Sequence, residues 1–375
     1  MDKGSSVVME NGLQVSCDWI EFTMKEGFDE TSPSPYIHAL DLMGYHSNEF
    51  SLPSLGGNGY RKKVVRQLNT GEIKVYFDGA NIGMGMHISI SGQCLNDVLE
   101  HFQNSNSSET PFSGPAYEIT DFDETLLTDF LRAVSASGRI TRFDLAIDDV
   151  GAHYFTVADF KQILEKGQYS SRIRFRKFIV SHDRDKVTGE TVYFGRRESE
   201  FMLRVYDKQL ELNKKRTSVD LPEIENPWVR WEMELKGNSA GIACDELISG
   251  KSLATVASGI LNQKIRLINL DNNRKCRCTT LQLWNDFIGN VEKIRLYIKP
   301  LLSTINDRIS WLYRQVAPSL ASVVEALDGT TEFIYNLLES GKIRLSSKDW
   351  DMIHAYWNRP PEIVRTYDPG WGAAN

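Results

Sequence analysis

The sequence predicts a mixed α+β domain up to about residue 240, followed by a helical region. Two observations lead to this prediction. Segments that alternate apolar and polar residues recur through the first part of the chain, and this period of two is typical of half-buried strands. After about residue 238, apolar residues recur at helical spacing instead, and prolines separate the segments. The predicted domains are therefore residues 1–240, a helical region over 241–357 and an irregular tail over 358–375.

The individual elements follow from the same two periods. We predict helices at 94–103, at 121–137 and at 156–166, where Thr156 is the expected N-cap. The helical region is predicted to contain segments at 247–261, 279–298, 305–327, 331–338 and 350–357. Strands are predicted at 15–24, 61–68, 72–77, 86–91, 139–148, 172–181, 191–195, 200–208 and 227–236.

Composition limits the class of protein. The 375 residues carry a net charge of −7, which is unusual for a nucleic-acid-binding protein. No run of eighteen apolar residues and no apolar signal core is present, so we expect neither a membrane span nor secretion. The five cysteines are scattered, and we expect reduced thiols in a cytoplasmic protein. The average charge hides a basic segment, because residues 171–216 hold thirteen Lys and Arg against seven Asp and Glu.

Three predicted strands have one apolar face and one charged face. In F-M-L-R-V-Y-D-K, residues 201–208, the apolar side chains alternate with Arg204, Tyr206 and Lys208. In R-I-T-R-F-D-L-A-I-D, residues 139–148, the charged face carries Arg142, Asp144 and Asp148. In P-W-V-R-W-E-M-E-L-K, residues 227–236, it carries Arg230, Glu232, Glu234 and Lys236. If the three strands share one sheet, these groups converge on one exposed, charged surface.

Such a surface has two interpretations. One is a ladder of cross-strand salt bridges on a solvated face, which contributes little to stability. The other is a site for phosphodiester cleavage. Same-face carboxylate pairs can hold Mg²⁺ or Mn²⁺, which would polarise a phosphate. Tyr206, between Arg204 and Lys208, would then be a nucleophile whose phenolate is stabilised by two cations.

The motifs themselves resemble those of a known family. They are T-R-F-D-L-A-I-D at 141–148, V-Y-F-G-R-R-E-S-E-F-M-L-R-V-Y-D-K at 192–208 and V-R-W-E-M-E-L-K at 229–236. They resemble the Rep-trans family, which comprises rolling-circle replication initiators of small plasmids and filamentous-type phages, with related relaxases of integrative conjugative elements. Two further segments, D-W-I-E-F-T at 18–23 and M-H-I-S-I-S-G-Q-C at 86–94, are similar to its phage-type members. The resemblance covers residues 15–240, and the helical remainder matches no family.

The resemblance implies a fold and a set of roles. The fold is a central antiparallel sheet with flanking helices, akin to that of the His-hydrophobic-His nickases. Tyr206 falls on the family's nucleophile, with Arg204 and Lys208 beside it. The carboxylates of the family's motifs fall on Asp144, Asp148, Glu232 and Glu234. Any of the four could bind the metal, and we favour Asp144 and Glu232. The paired histidines of the wider nickase group are absent, and His87 is the one candidate on the strand at 86–91.

Other residues complete the predicted site. Tyr193 and Tyr76 are alternative nucleophiles. Arg196 and Arg197 follow Gly195, whose turn allows close approach of a DNA backbone, so we expect them to contact phosphates. The remaining cations expected to contact DNA are Arg142, Arg230 and Lys236.

The sequence therefore predicts a metal-dependent, site-specific DNA nickase that forms a covalent 5′-phosphotyrosine and initiates rolling-circle replication of a phage or plasmid. A relaxase of a conjugative element with the same chemistry is the first alternative. A non-catalytic single-stranded DNA-binding protein is the second, but its sheet would present aromatic residues rather than carboxylates. Expected partners are origin DNA, a host helicase and a second copy of the chain, in a bacterial cytoplasm.

Overall fold

The computed structural model describes residues 6–24, 35–68, 71–81, 83–106, 123–184, 186–217, 222–289 and 305–357. The chain divides into two compact units, Met1–Tyr297 and Ile298–Asn375.

The first unit is built on one large antiparallel sheet. Its strands lie in the order β3-β4-β5-β6-β2-β7-β12-β11-β10-β9, with β1 paired to β2, and a separate short pair joins β8 to β13. The strands are β1 (Ser6–Val8), β2 (Gln14–Met24), β3 (Ser54–Gly57), β4 (Tyr60–Leu68), β5 (Gly71–Gly79), β6 (Met86–Ser91), β7 (Gly138–Val150), β8 (Tyr169–Ser170), β9 (Arg176–Asp183), β10 (Lys186–Phe194), β11 (Phe201–Asp207), β12 (Trp228–Lys236) and β13 (Arg266–Leu267). The predicted α+β class and central antiparallel sheet are confirmed.

Helices connect and cover the strands of this unit. They are α1 (Ile37–Met43), α2 (Leu95–Asn106), α3 (Glu124–Ser137), α4 (Val157–Glu165), α5 (Lys208–Thr217), α6 (Gly237–Ile248), α7 (Leu253–Lys264) and α8 (Gln282–Ile288). Thr156 caps α4 as predicted, because its hydroxyl accepts from the Asp159 amide at 3.1 Å while the Asp159 carboxylate accepts from the Thr156 amide at 3.0 Å. Helix α5 was not predicted, since its mostly charged and polar residues form no apolar stripe.

The apolar face of the sheet forms the core together with the helices. Trp231 of β12 is fully buried, and its ring centroid lies 4.6 Å from that of Phe160 in α4 and 4.9 Å from that of Phe287 in α8. Helices α6 and α7 contribute Ala243, Val256 and other buried residues to the same cluster. The first unit runs to Tyr297, and the helices α6, α7 and α8 in its last part help to bury the sheet's apolar face.

The second unit is helical where it is described. It contains α9 (Ile305–Trp311), a π-helical turn over Leu312–Val316, α10 (Ala317–Ala326), α11 (Glu332–Lys342) and α12 (Ser347–Trp357). An ion pair at 2.5 Å joins Arg308 of α9 to Asp349 of α12. The predicted tail from residue 358 lies outside the described residues. Among the helices in the described ranges, none has the length and apolarity needed to span a membrane.

Candidate active site

The three strands with charged faces are neighbours in the sheet. β12 lies between β7 and β11, with Glu232 opposite Arg204 and Glu234 opposite Asp144. One row further along, Arg230 lies between Tyr206 on β11 and Asp148 on β7. The predicted tyrosine, carboxylates and arginines are therefore brought together on one face by strand pairing alone, since directly opposed residues point to the same side.

The groups at the centre of this face are less exposed than predicted. Tyr206 is 7% exposed, Glu232 6% and Asp144 1%. Side chains lie over one another and exclude water: the guanidinium of Arg204 lies 4.7 Å from the ring centroid of Tyr206, and that of Arg142 lies 5.1 Å from that of Trp19. The site is a buried ionic layer on the sheet and not an open, solvated ladder.

Tyr206 is held against a carboxylate. Its hydroxyl donates a hydrogen bond to Glu232 Oε2 at 3.3 Å. Burial and the charge of Glu232 raise the pKa of Tyr206 above its ordinary value, although Arg230 and Arg204 act in the opposite direction. The predicted stabilisation of a phenolate is therefore wrong for this arrangement, because desolvation outweighs the two guanidinium groups. The phenol keeps its proton and has an acceptor beside it.

Glu232 is the acceptor at the centre of the site. Arg204 Nη2 donates to both of its oxygens, at 2.7 and 2.6 Å. Burial raises the pKa of Glu232, and the nearby carboxylate of Asp18 raises it further. A buried carboxylate with a raised pKa accepts a proton more readily than an exposed one.

Asp144 lies one strand away and is also crowded by negative charge. Arg142 Nη2 donates to its Oδ2 at 2.5 Å and to Glu234 Oε2 at 3.1 Å. Burial, with contributions from Glu232 and Glu234, nevertheless raises the pKa of Asp144 to about 7.

Asp148 belongs to a second group of charges around Arg230. Arg230 donates to Asp148 at 2.8 and 2.7 Å and to Asp18 at 2.8 Å, and the Trp228 indole donates to Asp148 at 2.7 Å. Asp148 is thus satisfied by three hydrogen bonds. Two of these bonds come from Arg230, and the role of Asp148 as a metal ligand stays a prediction.

The other predicted residues lie at the rim or elsewhere. Lys208 is the first residue of α5 and pairs with Glu211 at 2.7 Å, while its Nζ is 5.7 Å from the Tyr206 ring centroid. Lys236 pairs with Glu234 and donates to the Arg197 carbonyl at 2.6 Å. Arg196 and Arg197 are exposed in the turn between β10 and β11.

His87 is separated from Asp144, Asp148, Glu232 and Glu234, the carboxylates predicted to bind a metal. It pairs with Thr23 on β2, whereas Asp144 pairs with Trp19 on the same strand, four residues away. Its Nε2 lies 3.6 Å from Glu21 and its ring lies 5.9 Å from that of Tyr76. The alternative nucleophile Tyr76 is therefore also remote from Glu232. Tyr193 lies opposite Arg204 on β10, one strand from Tyr206.

Sequence reasoning missed Asp18, which reaches Arg230 and influences Glu232. By simple alternation Asp18 would share the core-facing side of β2 with Ile20 and Phe22. A bulge between Cys17 and Trp19 turns it to the polar face instead. The only signal in the sequence is its place in D-W-I-E-F-T, a segment whose resemblance to the family assigns it no role. Glu21 was also missed, although alternation places it on the polar face.

The fit to a divalent cation can be judged from the oxygen ligands. Among the described residues, no three His, Cys, Asp or Glu side chains meet in a ready-made ion site. Asp144 and Glu232 are buried and the Asp18 side chain is 33% exposed, yet their charges interact: Glu232 raises the pKa of Asp144 and Asp18 raises that of Glu232, and a cation would relieve this repulsion. The ligand chemistry therefore suits Mg²⁺ or Mn²⁺, provided that an arginine gives up its carboxylate.

One family model matches the chain. The sequence model of the replication initiation factor family (Rep_trans) matches residues 138–338. The match reaches about a hundred residues beyond the predicted limit at 240, so the helical region is not without relatives. This extent agrees with the packing of α6, α7 and α8 on the sheet.

Two individual proteins are similar over most of the chain. The putative DNA relaxase NicK of Bacillus subtilis (strain 168) is 31% identical over 297 residues, which is 78% of each chain. The solved structure of a rolling circle replication initiator protein from Geobacillus stearothermophilus superposes with a TM-score of 0.57 at 23% identity. That alignment covers 76% of this chain and 99% of the other. The similarity to the initiator structure, at 23% identity, shows a shared fold.

Proposed function

The chain belongs to the replication initiation factor family, and from this premise we propose that it nicks one DNA strand at an origin and initiates rolling-circle replication. The observation that carries the proposal is the hydrogen bond from Tyr206 to Glu232, with Arg204 bound to the same carboxylate and lying over the tyrosine ring. A nucleophile, an acceptor for its proton and a cation for the developing charge are thereby in contact.

The proposed step is an in-line displacement at phosphorus. The Tyr206 oxygen forms a bond to the scissile phosphorus while its proton passes to Glu232. The bond from phosphorus to the 3′ oxygen breaks, and that oxygen takes a proton from solvent to become a free 3′-OH primer. The 5′ phosphate remains on the tyrosine, so the bond energy is retained for later strand joining. Because the pKa of Tyr206 is raised, we expect the proton to leave as the new bond forms and not before.

We propose that Asp144 holds a divalent cation with Asp18 as a second oxygen ligand, while Glu232, the other ligand favoured from the sequence, stays free to accept the Tyr206 proton. Bound there, Mg²⁺ or Mn²⁺ would polarise the phosphate and offset the crowding of the carboxylates. The protein's own contribution is to orient Tyr206, to place Arg204 beside the developing charge and to keep water out of the layer. Arg142 and Arg230, now paired with carboxylates, would become available to DNA phosphates when the cation replaces them.

A conjugative relaxase is the second candidate, and the 31% identical relative named as a putative DNA relaxase favours it. Both candidates use the same active-site chemistry. They differ in the fate of the nicked strand: a polymerase extends the 3′-OH in replication, whereas the tyrosine-linked strand is exported in conjugation. A host helicase and a second copy of the chain remain predicted partners of either one.

The test is formation of a covalent protein–DNA adduct. Purified protein is incubated with Mn²⁺ or Mg²⁺ and a single-stranded oligonucleotide from its own element's origin, and the products are separated on a denaturing gel. We expect an adduct that requires the cation and is lost in Tyr206→Phe.

Tyr193→Phe and Tyr76→Phe are the matched controls, and both should form the adduct. An adduct that persists in Tyr206→Phe and is lost in Tyr193→Phe would identify Tyr193 on β10 as the nucleophile. Binding without any adduct, under either cation, would overturn the catalytic proposal in favour of a single-stranded DNA-binding protein.

A further inference from the structure

A cavity of about 480 Å³ lies at the turn between β10 and β11, away from the tyrosine site. Its lining includes Arg172, Arg174, Arg196 and Lys264, against one carboxylate, that of Glu200. Four cations facing one anion leave a local excess of positive charge in a chain whose net charge is −7. A concave surface of this kind attracts an anion, because its low-dielectric walls focus the field.

The arginines of this cavity differ from those of the tyrosine site. Arg142, Arg204 and Arg230 are each bonded to a carboxylate. Within the ranges that the structure describes, the guanidinium groups of Arg172 and Arg174 make no hydrogen bond or ion pair. Neither residue is buried. Their five-donor forks are therefore free to bind phosphate oxygens in pairs.

The cavity also offers aromatic surface. Phe175 is 37% exposed and lies under the guanidinium of Arg196, whose Cζ is 4.9 Å from the ring centroid. Lys264 Nζ is 5.0 Å from the ring centroid of Phe201, and burial lowers the pKa of this lysine. An exposed ring beside free guanidinium groups suits a nucleotide, since the base can stack while the phosphate is bound.

The cavity lies at the end of β11, on the side of the sheet that the helices cover, because its lining includes Phe201 of the apolar face, Ser239 of α6 and Lys264 of α7. Arg204, Tyr193 and Lys177 lie in one row across β11, β10 and β9, on the face that carries Tyr206. Phe201 is five residues from Tyr206, roughly 17 Å along the strand, and this odd separation places the two side chains on opposite faces.

We propose that this cavity is a second phosphate-binding site that holds a nucleotide of the DNA strand where the strand passes the end of the sheet and leaves the face that carries Tyr206. Arg172, Arg174 and Arg196 bind the phosphate, and Phe175 stacks on the base. The proposal rests on the proposed function in so far as DNA is the ligand, but it does not depend on nicking. Its role is to fix the register of the strand over Tyr206.

The experiment measures binding without cleavage. Full-length Tyr206→Phe protein, without divalent cation, is titrated into fluorescein-labelled oligothymidylate about eighteen nucleotides long, and anisotropy is followed at several salt concentrations. The test variant adds Arg172→Ala and Arg174→Ala. The control variant adds Arg61→Ala and Lys62→Ala, which removes the same charge from exposed positions on β4.

We expect the test variant to bind about tenfold more weakly. The slope of its log affinity against log salt concentration should fall in magnitude by roughly 0.7 for each lost phosphate contact. The control variant should retain the parent slope. A third variant, Phe175→Ala, should lose about fivefold or more in affinity for oligothymidylate and nothing for an abasic oligomer of the same length. The variants change side chains outside the core, and their thermal unfolding is checked against the parent.

Equal affinities and slopes for the test and control variants would overturn the second site while leaving the nickase intact. An absence of any oligonucleotide binding by the parent would overturn both proposals. Adduct formation by the protein with an intact Tyr206 is scored separately, so the two failures are distinguishable.

Discussion

The phenol of Tyr206 on β11 donates a hydrogen bond to Glu232 on β12 at 3.3 Å, although the two residues are not directly opposed. Tyr206 is opposite Arg230, and Glu232 is opposite Arg204. The contact is therefore a diagonal one across two adjacent strands, stabilised by Arg204, which bonds Glu232 and lies over the tyrosine ring. It couples the predicted nucleophile to a buried proton acceptor.

Replacing the acceptor tests this coupling. Glu232→Gln keeps the shape of the side chain but cannot take the tyrosine proton, so we expect adduct formation to slow by about 10²- to 10⁴-fold. Affinity for single-stranded DNA should be equal or higher, because one negative charge is removed. The rate is measured in single turnover with excess protein. Glu246→Gln, at an ion pair with Lys251 on the far end of α6, is the control and should leave the rate unchanged; an equal rate in Glu232→Gln would exclude this residue as the base.

Divalent cations should stabilise the folded protein by binding the proposed metal site at Asp144. At a hundred times the dissociation constant, a bound cation contributes about 2.7 kcal/mol. Mn²⁺ should therefore raise the midpoint of thermal unfolding by about 4 °C or more, and EDTA should reverse the change. Asp144→Asn should abolish the shift, whereas Asp129→Asn, at an exposed position of α3, should retain it. Equal shifts in both variants would place the cation elsewhere.

Acid should weaken the fold through His87. Burial lowers its pKa below the ordinary value, while Glu21 opposes that change. As the pH falls through about 6.5, the unfolded chain gains a proton that the folded chain does not, so the free energy of unfolding decreases until the folded pKa is reached. The free energy of unfolding in urea, measured at pH values of about 7.5 and 5.5, should change less with pH for His87→Asn than for the parent. His153→Asn, with a side chain 70% exposed, should behave as the parent.

Truncation tests where the first unit ends. A chain that stops after residue 240 loses Trp284 and Phe287, both fully buried against the sheet. Losses of buried aromatic side chains cost about 3–5 kcal/mol each, and a domain has only about 5–15 kcal/mol in total. We expect this chain to be unfolded and a chain ending after Tyr297 to give a cooperative thermal transition. A folded, DNA-binding 1–240 fragment would contradict the observed extent of the core.

Much of the fold was predictable because strand periodicity is local. The strand at Met86–Ser91 was located to the residue, and the capping of α4 by Thr156 follows from side-chain chemistry within four residues. The three charged faces were also predictable, since alternation alone separates Arg204 and Tyr206 from Leu203 and Val205. Helix α5 could not be predicted, because its charged residues mask the helical period.

The sequence by itself determined which residues share a face, the order of the three strands along the chain and the family to which the chain belongs. Only the tertiary structure decided which strands are neighbours, and with that the contact between Tyr206 and Glu232. It also decided the bulge that turns Asp18 toward Arg230, the separation of His87 from Asp144 and the burial of the charged layer. The physical reason is that alternation is a property of consecutive residues, whereas pairing, bulges and desolvation depend on segments far apart in the chain.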